Sequence, residues 1–213
     1  WSSDVCSSDL IGTPDLIVKS KDILVKANSP DWWGEIESVP IPLDQDRYVL
    51  AVEIKEVNNT TLHAAGRDTV GELFVWHHLI YRTQVGAEYS PTDIELVAGS
   101  DNVVNWPVHE VGRNPDYFDP KAAVLLKKGS YIVSDSVHLH SNGQDTTSHL
   151  EFGYKFAPVG YKPEFKRAAI GLGNGVDIDV AGLEAGQQMH AYTVLNDNTK
   201  LISFEPHLHA PGT

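Results

Sequence analysis

The sequence predicts an all-β protein, an antiparallel jelly-roll sandwich followed by the start of a second, similar domain. Three observations predict it. Val, Ile, Tyr and Trp are gathered in short runs, with Gly, Pro, Asn and Asp between them. Those runs recur at the spacing of sandwich strands. Finally, no stretch beyond about ten residues carries the 3.6-residue apolar period of an amphipathic helix.

Taken in order, the candidate strands are Leu16–Lys19, Ile23–Ala27, Gly34–Ile41, Arg47–Val57, Glu72–Arg82, Ile94–Val97, Ala122–Leu126, Tyr131–His140 and Leu150–Phe156. Four more follow at Phe165–Ile170, Val176–Val180, Met189–Leu195 and Leu201–Leu208. Between the two groups, Ala157-Pro158-Val159-Gly160-Tyr161-Lys162-Pro163 interrupts the pattern with two prolines and a glycine, as a linker does. Residues 11–160 are therefore expected to form a first jelly-roll domain, and 161–213 the beginning of a truncated second one. Residues 1–10, WSSDVCSSDL, repeat Ser-Ser-Asp and lack the basic and apolar regions of a signal peptide. They resemble translated adapter sequence and are left out of the functional reading.

Composition sets the outer bounds. An apolar fraction of 41% and a charged fraction of 21% are those of an ordinary globular protein. The net charge of −13 argues against nucleic acid as a partner, because a phosphate-binding face needs clustered Lys and Arg. No run approaches the roughly eighteen apolar residues of a membrane span. The single cysteine, Cys6, excludes an internal disulfide and any multi-thiolate metal site.

The chemistry lies in the histidines. Six of the ten fall in three motifs, each in or at the end of a candidate strand: Trp76-His77-His78-Leu79, Val137-His138-Leu139-His140 and Pro206-His207-Leu208-His209. Residues two apart on a strand share a face, so each His-x-His pair can offer two imidazoles to one ion. His77 and His78, being adjacent, can share an ion only if the strand bulges or twists there. A lone His-x-His is more often a solvated or hydrogen-bonded pair than a ligand pair. Three such motifs in one cysteine-poor chain point to a metal site, and ligation by imidazole alone suits copper or zinc. The third ligand beside His77 and His78 is His138 or His140, both on one face. His109 reads as a loop residue, His63, His149 and His190 as structural or exposed, Trp32, Trp33 and Trp76 as core, and Met189 as packing.

The order His-His, then His about sixty residues on, then His-x-His about seventy beyond that, resembles the peptidylglycine and dopamine hydroxylating copper monooxygenases and their bacterial relatives. Thr13-Pro14-Asp15-Leu16, Pro40-Ile41-Pro42-Leu43 with Asp46-Arg47-Tyr48-Val49, and Lys128-Gly129-Ser130-Tyr131-Ile132-Val133 are similar to that family as well. The resemblance implies one copper on His77, His78 and His138, which passes ascorbate-derived electrons. It implies a second copper on His207 and His209 with a methionine, which binds dioxygen and hydroxylates a C–H bond. It also implies a periplasmic or secreted location. The family's methionine ligand follows the last motif, whereas Met189 precedes it; the chain as it stands is expected to be inactive. Relatives often carry Gln where this chain has Ser136, and the disulfides of animal members are absent.

Two other classes stay open. One is a non-catalytic copper-binding or electron-relay module on the same fold. The other is a cupin-like or carbohydrate-binding jelly roll, for which Gly129 and Asp145 stand poorly placed, and which leaves two histidine motifs without a role.

Overall fold

The computed structural model describes residues 10–61, 70–86, 102–113, 115–168, 181–188, 190, 192–195 and 197–204. Two compact units divide the chain, Trp1–Arg167 and Ala168–Thr213.

Among its described residues the first unit holds eleven strands and one helical turn: β1 (Leu16–Lys19), β2 (Ile23–Val25), β3 (Trp32–Pro40), β4 (Arg47–Asn58), α1 (Val70–Leu73), β5 (Trp76–Val85), β6 (Val103–Asn105), β7 (His109–Glu110), β8 (Pro115–Tyr117), β9 (Val124–Leu126), β10 (Ser130–Leu139) and β11 (Thr146–Phe156). All pairings are antiparallel. The first sheet runs β1-β11-β4-β8, with β2 also on β11 and β9 also on β4. The second runs β3-β10-β5-β6, with β7 also on β5. This is the all-β sandwich that the strand pattern predicts.

Alternation along the strands builds the core. Val52 and Ile54 of β4 and Leu150, Phe152 and Tyr154 of β11 meet Trp76, Leu79 and Tyr81 of β5 and Ile132, Val137 and Leu139 of β10. Most of these side chains are fully buried, each worth about 1.5–3 kcal/mol of transfer free energy. The intervening residues of β4 and β11 point outward, yet Glu53, Lys55 and Glu151 are also 0% exposed, so the first sheet is covered on both faces.

Some elements differ from the sequence reading. The run expected from Glu72 opens with the turn α1, and its strand starts at Trp76. His109 lies on the two-residue strand β7, not in a loop. Trp32 and Trp33 sit on β3, which among the described residues is an edge strand, and are 43% and 55% exposed. Trp76 is core, as expected. The candidate strand Ile94–Val97 lies outside the described residues. After β11 the chain stays on the sandwich: Ala157 N–H donates to Tyr48 O (2.7 Å), and Tyr161 donates its hydroxyl to Pro120 O (2.7 Å).

In the second unit the described residues form no strand. The expected strands Met189–Leu195 and Leu201–Leu208 are irregular where described, as are residues 165–167 at the end of the first unit and 168 at the start of the second, and Val176–Val180 lies outside the described residues. Tyr192, Val194, Leu201 and Phe204 are 87%, 80%, 78% and 66% exposed. An apolar strand sequence without a partner ladder has nothing to hold it extended.

Candidate metal centre

The site begins with a register fault. Along the β5–β10 ladder His78 pairs with His138, but the next pairing is Trp76 with Leu139, so β5 spends one residue more than β10 over that step. The extra residue is His77. Trp76, Leu79, Val137 and Leu139 belong to the core, so the bulge turns both His77 and His78 to the outward face that His138 shares. This is the distortion that two adjacent histidines need to meet one ion.

A carboxylate from the other sheet fixes the bulge in place. Glu56 of β4 is 4% exposed and accepts from the backbone N–H groups of Val75 (3.1 Å) and Trp76 (3.0 Å), and from the Ser148 hydroxyl (2.9 Å). Ser148 in turn accepts from the Trp76 indole N–H at 3.0 Å. Burial pushes the Glu56 carboxyl above its ordinary range, while the hydrogen bonds from Trp76, Asn58, Val75 and Ser148 hold it down. The chain is thus anchored immediately before His77.

One transverse row crosses the second sheet, Glu110–His78–His138–Trp33. Nitrogen atoms of His77, His78 and His138, one from each ring, all lie within 4.8 Å of one another. Metal–nitrogen bonds of about 2 Å leave room for one ion between them. Trp33 closes the row: its indole stacks on the His138 ring at 3.8 Å and 9°, and meets His78 edge-on at 4.9 Å. His78 and His138 are accordingly buried, while His77 is exposed.

His138 carries the clearest chemical signal. Its Nε2–H donates to the Asp31 carboxylate at 3.1 Å, and its Nδ1 is buried with no hydrogen-bond partner among the described residues. A neutral imidazole protonated on Nε2 presents a bare lone pair on Nδ1. Leaving such an acceptor buried and unpaired costs about 1–3 kcal/mol, which an ion would offset. A ligand histidine held by a carboxylate on its other nitrogen is the usual arrangement around protein-bound metals. The residues present therefore fit a metal ion. Burial, then the neighbouring rings of His138 and His140, holds His77 below the ordinary histidine range. That favours the neutral form, which ligation requires.

Of the two candidates for third ligand, His138 joins His77 and His78. His140 lies just beyond, its ring 5.5 Å from His77 and 6.5 Å from His138, with Nε2 also buried and without a hydrogen-bond partner among the described residues. His207 and His209 lie outside the described residues, as do Met189 and His63. His109 is buried and donates from Nδ1 to Arg113 O at 3.2 Å; burial lowers its pKa to about 4. His149 bonds Asp22 at 2.9 Å, and His190 is exposed. Asp31, Trp33 and Glu56 were not singled out as site residues from sequence. The position of Trp33 beside Trp32 hid it among expected core residues, and no local motif marks Asp31 or Glu56.

Fold and site together define a β-sandwich with an outward-facing triad of histidines that could hold a metal ion. Comparison with protein-family models, with curated proteins and with solved structures gave no match.

Proposed function

We propose that the sandwich is the copper-holding, electron-passing unit of an ascorbate-dependent copper monooxygenase-like protein, one that hydroxylates a C–H bond with dioxygen. The observation that carries this reading is the bulged His77-His78 pair set against His138, whose Nδ1 is free. Three imidazoles without a thiolate suit copper, and copper there would supply one-electron chemistry between Cu(I) and Cu(II). Asp31 orients His138, Trp33 keeps water from two of the three rings, and the exposed His77 edge faces the solvent side from which a reductant arrives. By resemblance, His207 and His209 would hold the oxygen-binding copper.

Copper titration of the full chain tests this. The expected result is one tight copper on the triad, with Cu(II) paramagnetic resonance showing nitrogen coupling that is lost in H77A, H78A and H138A, and reduction by ascorbate. Tight copper that ascorbate does not reduce removes the electron-passing role and leaves a non-catalytic copper-binding module as the better reading. Preference for zinc, or copper binding indifferent to the three substitutions, overturns the copper centre.

A further inference from the structure

A cavity of about 550 Å³ opens between the edges of the two sheets, where β2 faces β3. That volume is ordinary for a small-molecule site. Its floor is apolar, made by Ile23, Ile36 and the buried pair Trp76 and Leu139. One wall is the indole of Trp32, 43% exposed. The indole lies there because position 34 is glycine: a Cβ on Gly34 would stand 2.4 Å from Trp32 Cζ2. Close approach of this kind is what glycine permits.

The charged part of the lining is predominantly acidic. Asp22, Asp31, Glu35 and Glu37 line the cavity with a single cation, Lys21, and Lys21 is already ion-paired with Glu37. The lining therefore holds three more negative charges than positive ones. Such a site repels anions and gains little from neutral polar molecules, whereas a cation is attracted by both the carboxylates and the indole face.

We propose that this cavity is a binding site for a small organic cation with an apolar tail. The tail lies on Ile36, Trp76 and Leu139, and the cationic head sits against Trp32 among the carboxylates. The site is separate from the metal centre but adjoins it. Trp76 and Leu139 are ladder partners flanking the histidines, and Asp31 both lines the cavity and holds His138.

The test uses the metal-free full chain, so its outcome is independent of the copper reading. Hexyltrimethylammonium, which has no lone pair to offer a metal or to share with histidine, is compared with hexanol by calorimetry and tryptophan fluorescence. The cation should bind saturably and about tenfold tighter than hexanol. W32A, and G34V, which displaces the indole, should each weaken it about tenfold, and E35Q about threefold, while Y117F, at the far edge of the first sheet, leaves it within about twofold. Absence of saturable cation binding, equal affinity for hexanol, or an affinity unchanged in both W32A and G34V would overturn the proposal.

Discussion

The outward faces of the two sheets both bury polar side chains, and they do so in opposite ways. On the first sheet, Lys19, Glu151 and Lys55 form a row across β1, β11 and β4. Glu151 pairs with Lys19 at 2.5 Å, and Glu53 beside it accepts from the N–H groups of Leu10 and Ile11 at 3.3 and 3.2 Å. On the second sheet, the row His78–His138–Trp33 contains an imidazole nitrogen, His138 Nδ1, with no hydrogen-bond partner among the described residues. Burying a polar group is costly unless it is paired. A row that pairs its own charges holds the fold; one that leaves a lone pair bare is waiting for something from outside.

The sharpest way to break this contrast is E151A. It removes the fully buried partner of Lys19 from between Lys19 and Lys55 in the ladder, so stability should fall by about 1–3 kcal/mol in urea denaturation, with or without metal. A loss below about 1 kcal/mol means the first-sheet row is not structural. H138A should do the reverse. It deletes an unsatisfied acceptor, so the metal-free protein should keep its stability within about 1 kcal/mol. Metal affinity should fall about a hundredfold or more, because one ligand of a structural site is worth about 3 kcal/mol.

How much of this was legible in sequence follows the same division. The strands of the core showed through short runs of Val, Ile, Tyr and Trp between turn residues, because strand propensity is a local property. His77, His78 and His138 showed as motifs, and the need for a bulge at His77-His78 followed from strand geometry alone. Asp31 and Trp33 did not show, since only the β3–β10 register brings them to His138. Glu56 did not show either, because it acts across the sandwich from the opposite sheet. The short strands β6, β7 and β8 were missed, lying at the sheet margins beside Pro107 and Pro115, where the apolar pattern is weak.

His109 sharpens the contrast with a third case, a histidine satisfied and buried. Its folded pKa of about 4 lies below the unfolded value near 6.5, so below pH 6.5 the unfolded chain binds the proton and the folded one does not. Stability present above pH 6.5 is therefore lost as pH falls toward 4, by up to about 3 kcal/mol, and no further below that. H109N should flatten this slope in metal-free protein; an unchanged slope would assign the loss to other groups. The smallest effect is expected from D31N, which keeps the shape and weakens the acceptor for His138 Nε2–H. Metal affinity should drop about tenfold to a hundredfold, while H149A, remote from the triad, leaves it unchanged.

The bulged strand and its partner have one more consequence, for the protein's lifetime. His77 and His78 on β5 and His138 on β10 are about sixty residues apart in the chain and meet only in the closed sandwich. An ion on all three is therefore a removable cross-link, held by the folded chain and by no extended one. At a free concentration a hundred times its dissociation constant it would favour the folded state by about 2.7 kcal/mol, cutting the unfolded fraction about a hundredfold. Proteases that sample that fraction would then read the local supply of metal, and the chain would persist where the ion is plentiful and be cleared where it is scarce.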